Sequence, residues 1–159
     1  MLLDAATASN AIIRSDAATL AGTLVAPEAA RAIVVFVHGS GPLDRDENSK
    51  AGKLNIFNAL ASDLAEKGFA SLRYDKRGVG QSSGDFNRIG QDDLVADVRA
   101  VARDAAELDL GPVFLCGHSE GTAIAVEAAQ ALDVAGLVLL CPYVTPGPDI
   151  LRWQAVQTE

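Results

Sequence analysis

At 159 residues, with 49% hydrophobic and 21% charged side chains, the chain carries enough apolar material for one domain with a core and is too hydrophobic to read as disordered. A net charge of −8 and the lack of any dense Lys/Arg cluster argue against nucleic acid or an anionic membrane surface as a partner. The opening MLLDAATASN has no basic segment leading into an apolar run, and no stretch reaches the ~18 apolar residues of a spanning helix, so no stable membrane insertion and a cytoplasmic location are expected.

Residues 10–25 alternate weakly around Ser15-Asp16, which predicts two antiparallel strands at the outer edge of a sheet. The run Ala32-Ile33-Val34-Val35-Phe36-Val37 has the pattern of a strand covered on both faces, and a glycine-rich loop, His38-Gly39-Ser40-Gly41-Pro42, follows at once. Phe57, Leu60, Ala61 and Leu64 recur at helical spacing within 54–67, with Gly68 as the stop. A short strand at 69–74 leads into Asp75-Lys76-Arg77-Gly78-Val79-Gly80, an irregular loop. Leu94, Val98, Val101, Ala105 and Leu108 mark a second amphipathic helix, with Asp92 and Asp93 where the helix dipole favours negative charge. A third buried strand at 113–117, an alanine-rich helix at 122–132 and a fourth buried strand at 136–141 complete the pattern, and Pro142, Pro146, Gly147 and Pro148 then mark a break where a cap or partner domain could begin. Strand and helix alternating through short connections imply an α/β fold: a mostly parallel sheet, helices on both faces, antiparallel strands at the N-terminal edge. Cys116 and Cys141 both fall in apolar strand-like runs and are expected as buried free thiols, and two cysteines with two histidines lack zinc-type spacing, so no metal is expected.

Gly117-His118-Ser119-Glu120-Gly121 fits glycine-x-serine-x-glycine and stands between a predicted strand and a predicted helix. A serine at such a corner is held in a strained turn that projects its hydroxyl, while glycines on either side remove Cβ atoms that would clash. Ser119 is therefore the candidate nucleophile; the plainer alternative is a serine that caps the following helix. The loop at 38–41 can aim a backbone N–H at the same point, so the backbone N–H groups of Ser40 and Glu120 are the candidate oxyanion donors. A phosphate-binding reading of that loop fails, because it has neither a P-loop lysine nor the spacing of a dinucleotide fingerprint.

Four stretches in order, Leu20-Ala21-Gly22-Thr23-Leu24, then His38-Gly39-Ser40-Gly41-Pro42 with Asp44-Arg45-Asp46-Glu47, then Leu72 to Ser82, then Gly117 to Gly121, resemble the α/β-hydrolase superfamily and within it the serine aminopeptidase-like and monoglyceride-lipase-like esterases. The resemblance implies hydrolysis of a small-molecule carboxylic ester, thioester or amide through an acyl-enzyme, without a cofactor. It gives His38, Gly39, Gly41, Gly117 and Gly121 supporting places in the two motifs.

The same resemblance implies an acid and then a histidine after the serine, and no histidine follows Ser119. His38, in the oxyanion loop, is expected to have a structural hydrogen-bonding role, and His118, one residue from the serine in a strand, points to the other face. Asp133 and Asp149 come too early to be the acid. The expectation is a chain that stops before the acid, the histidine, the later strands and the cap, inactive by itself and prone to self-association through an exposed apolar edge strand. A catalytically silent binding module and an acyltransferase are the alternatives. For Asp44 to Glu47 a solvated loop and an internal brace are both open, and Asp75 and Arg77 are expected to brace their loop as a charge-assisted pair.

Overall fold

The computed structural model describes residues 6–16 and 18–157. The apolar run after Ala32 forms β3 (Ile33–Val37), buried throughout, and its side chains divide by parity as a strand requires. Ile33, Val35 and Val37 face one hydrophobic cluster; Val34 and Phe36 face another. Strand β5 (Val113–His118) divides in the same way, Val113 and Leu115 to the first cluster and Phe114 and Cys116 to the second. The larger cluster receives the apolar faces of α2 (Gln91–Glu107) and α3 (Glu120–Ala129), and the smaller receives Phe57 and Ala61 of α1 (Ile56–Glu66). Helices therefore cover both faces of the sheet, and each side chain the size of Leu115, fully buried, contributes roughly 1.5–3 kcal/mol.

The sheet has six strands, ordered β1 (Thr7–Ser15), β2 (Ala18–Ala26), β4 (Ala70–Tyr74), β3, β5 and β6 (Gly136–Leu140). The pairs β3·β4, β3·β5 and β5·β6 are parallel. The hairpin β1–β2 pairs antiparallel with itself and β2 antiparallel with β4, so the predicted antiparallel edge is where the alternating segment placed it. Helix α2 begins with the Gly90 amide donating to the Asp93 carboxylate at 2.9 Å, in the turn where acidic residues were expected.

Two expectations at the C-terminal side need correction. The strand at 136–141 is not buried: β6 is an edge strand among the described residues, and Leu137, Val138 and Leu139 are 37–44% exposed. Cys141 lies just past β6 with φ +53 and is exposed, whereas Cys116, in the sheet's middle, is buried as expected. An apolar run marks a strand but does not say whether both faces are covered. At the proline-rich break, where a cap or partner domain could begin, α4 (Gly147–Gln157) starts, with Pro148 in its first turn, where a missing N–H costs nothing. No helix among the described residues is long and apolar enough to cross a membrane.

Candidate functional site

The corner between β5 and α3 is held by close backbone packing. A Cβ on Gly117 would run into the Gly121 carbonyl and come 2.8 Å from the Thr122 Cα, and one on Gly121 would strike the carbonyl oxygens of Val37 and His38. Only glycine fits at either position. Between them Ser119 has φ +52 and ψ −118, a backbone region a non-glycine residue occupies only when its surroundings impose it. The imposed bonds are visible: the Ser119 N–H donates to the Leu140 carbonyl at 2.9 Å, and the Ser119 carbonyl accepts from the Thr122 amide at 3.0 Å and the Thr122 hydroxyl at 2.6 Å. Although Ser119 occupies the position before α3, its side chain makes no capping bond, so the plainer reading of a helix-capping serine is not realised. Ser119 is half-buried and opens onto a cleft of about 630 Å³ shared with Cys141, Tyr143, Thr145, Asp149 and Trp153. Tyr143 also walls a smaller pocket of about 240 Å³, whose other walls include Gly41, Phe86, Leu94, Glu120 and Ile124.

The loop after β3 meets this corner. A Cβ on Gly39 would lie 3.4 Å from the Ser119 Cβ and 3.3 Å from His118 Nδ1, so the loop and the serine share one end of the sheet. The N–H groups of Ser40 and Glu120 donate to no acceptor among the described residues, while the neighbouring N–H groups of Gly39 and Ser119 are both taken. His38 is buried between the rings of Phe57 and Tyr74, with centroids 5.6 and 4.8 Å away. Burial, with help from the Lys76 cation, lowers its pKa to about 3 against the weaker pull of the Tyr74 backbone, and it is neutral at pH 7. His118 Nδ1 lies 2.7 Å from Glu47 Oε2, so this ring is engaged by a carboxylate of the loop after β3.

The run Asp44 to Glu47 is an internal brace, residue by residue. Asp44 accepts the amides of Asp46 and Asn48, both at 2.9 Å. Arg45 forms a two-pronged pair with Asp75 at 3.0 and 2.8 Å and also donates to the Gly22 carbonyl. Asp46 pairs with Arg73. Burial pushes the Asp75 carboxyl up, but the Arg45 guanidinium and the amides of Gln81 and Arg45 outweigh it and hold it below the usual carboxylate value. Asp75 and Arg77 do not pair with each other as the sequence suggested: Arg77 instead holds Asp97 of α2 through two bonds of 3.0 and 2.6 Å. Both residues lie in the irregular loop past the end of β4, where strand periodicity no longer sets side-chain direction, and they turn to different partners.

The family model for serine aminopeptidase, S33, matches residues 28–158. The chain belongs to this α/β-hydrolase family. Esterase EstD of Thermotoga maritima is 31% identical over 76% of the chain and 29% of its own length, and the monoglyceride lipase of Rattus norvegicus is 30% identical over 75% and 37%. This S33-family chain thus spans about a third of the length of these curated relatives. Among solved structures, the Pyrococcus furiosus esterase Pf2001 superposes with a TM-score of 0.76 at 16% identity, over 96% of the chain and 58% of that protein. Est1E of Butyrivibrio proteoclasticus, solved with ferulic acid bound, gives 0.69 at 25% identity over 83% and 52%.

Sequence reasoning leaves Glu47 open between a solvated loop and an internal brace and places Lys76 only in an irregular loop; both close on Gly39. Glu47, 1% exposed, accepts the Gly39 amide at 2.6 Å. Lys76, 2% exposed, donates to the carbonyls of Gly39 at 2.5 Å and Gly41 at 3.0 Å. Each sits in a charged run that reads equally well as solvated surface, and nothing in spacing marks it as buried. Among the described residues no group of three or more His, Cys, Asp or Glu side chains is placed to hold a metal ion.

Proposed function

We propose that this chain carries the nucleophile and the oxyanion donors of a serine hydrolase acting on carboxylic esters, with thioesters and amides as chemically related substrates. Ser119 Oγ attacks the acyl carbon and gives its proton to a general base, and the carbonyl oxygen takes up the negative charge against the N–H groups of Ser40 and Glu120. Collapse expels the alcohol, which leaves with that proton, and water releases the acid from the acyl-serine by the same route. The observation that carries this reading is Ser119 itself: a left-handed corner between strand and helix, no capping bond, and an open cleft in front. The relatives that are esterases and lipases support the ester class.

Neither histidine in the chain suits the role of base. His38 is fully buried with its pKa lowered to about 3, too weak a base for a serine hydroxyl, and His118 directly precedes Ser119 at the end of β5, where consecutive side chains leave on opposite faces. Asp149, although it lines the cleft, pairs with Arg152 at 2.8 Å. The base and its orienting acid are therefore assigned to residues outside these 159. Labelling with a fluorophosphonate at full natural length should place the adduct on Ser119. Ser119→Ala should remove it and lower kcat for p-nitrophenyl acetate by about 10⁶. The 159-residue chain alone should turn over this ester negligibly. An adduct elsewhere, or turnover that survives Ser119→Ala, overturns the reading.

A further inference from the structure

Gly39 is gripped at both ends by buried, opposite charges. Its N–H goes to Glu47 Oε1 at 2.6 Å and its C=O to Lys76 Nζ at 2.5 Å. Glu47 holds φ +64, a conformation a side-chain-bearing residue keeps only where its contacts impose it. The Gly39 carbonyl belongs to the same peptide unit as the Ser40 N–H, and in a trans peptide the two point in opposite directions. Fixing the carbonyl on Lys76 therefore fixes the direction of the Ser40 N–H, and the cation polarises that peptide so that the N–H is the better donor. Lys76 reaches the other donor as well: its Nζ lies 3.6 Å from the Glu120 carboxylate, on the residue whose amide opens α3. A second hydrogen bond of the ammonium, to the Gly41 carbonyl at 3.0 Å, closes the loop around it.

We infer that Lys76 is a positioning residue of the oxyanion site, an internal cation that orients the Ser40 N–H, with Glu47 as its counter-clamp on the same glycine. This rests on the hydrolase reading above, in which Ser40 and Glu120 supply the donors. A lysine in this place is costly to bury and touches no part of the cleft with its charge, so three carbonyl and carboxylate partners converging on it call for a purpose beyond packing. The charged or titratable groups facing it are Glu120 from α3, Glu47 from the loop after β3 and His38 from the end of β3; the Phe86 ring lies 5.9 Å away. Burial lowers the ammonium pKa below the ordinary lysine value, against the pull of Glu120 and Glu47.

The test compares wild type, Lys76→Met, Lys76→Arg and Ser119→Ala at full natural length, with p-nitrophenyl acetate turnover, fluorophosphonate labelling rate and thermal melting. Lys76→Met should lower kcat and the labelling rate by about 10–100-fold, with KM changed by less than about 3-fold, because only the charged transition state needs the donor aligned. Lys76→Arg should recover to within about tenfold of wild type. Wild type should lose kcat on an alkaline limb that Lys76→Arg lacks, since a guanidinium does not titrate there. Labelling at Ser119 in wild type with Lys76→Met within 3-fold on both rates overturns the clamp and leaves the hydrolase reading standing. If Lys76→Met does not fold, an alkaline limb unchanged in Lys76→Arg overturns it instead. No adduct at Ser119 in wild type overturns both.

Discussion

On the β4 side of the central strands, charged side chains are buried and paired; on the β6 side, apolar side chains are exposed. Arg45 with Asp75 and Arg77 with Asp97 stand within the first region, each charge held by two bonds. Val144, Trp153 and Val156, at 64–98% exposure, belong to the second. Ser119 lies on the boundary between them. The contrast teaches where the strain at the serine is held: the bonds that fix the loop after β3 come from the charged side, while among the described residues only the Leu140 carbonyl reaches the serine from the other.

The sharpest way to break this comparison is to remove one carboxylate from each region. Asp97→Ala strands the Arg77 guanidinium without its buried partner and should destabilise the fold by about 3–5 kcal/mol in urea unfolding. Asp149→Ala, at an exposed helical pair with Arg152, should cost no more than about 0.5 kcal/mol. Equal costs would mean that the buried network is no more than a solvated one.

A smaller effect comes from pH. His38 has a folded pKa of about 3, below its unfolded value of 6.5, so its contribution is complete above 6.5 and is lost as pH falls from there toward 3. Between pH 5.5 and 4 the loss should approach roughly 1.4 kcal/mol per pH unit, a slope that His38→Phe flattens. Asp75, whose pKa is lowered, adds its own loss only at more acid pH. A slope identical in both proteins would place the acid sensitivity elsewhere.

The smallest effect is chemical rather than energetic. Burial and the nearby Glu47 carboxylate push the Cys116 thiol up to about 11, while Cys141 is exposed at the cleft. Iodoacetamide at pH 8 should therefore modify one thiol per folded chain, at Cys141, and the second only after unfolding in guanidinium. Mass spectrometry of the two peptides checks it.

Much of the layered architecture was legible because it depends on local periodicity. Val34 and Phe36 against Val35 and Val37, and the four-and-three steps of α2, are written in neighbouring residues. The glycines at 117 and 121 were legible for a similar reason, since a tight corner needs them at a fixed spacing. What stayed hidden depends on pairing across distance. Glu47 meets Gly39 eight residues away and Lys76 meets it from thirty-seven, and no pattern of residue types distinguishes those charges from Asp92 or Lys67 on the surface. The exposure of β6 was hidden likewise, because a strand's sequence records its own hydrophobicity and not its neighbours.

Gly121 pressed against the carbonyls of Val37 and His38 joins the two loops into a single hinge-free joint. The walls of the cleft come largely from segments after β6, which touch that joint at few points. Substitutions in those later segments can thus reshape the walls of the cleft while leaving that joint undisturbed.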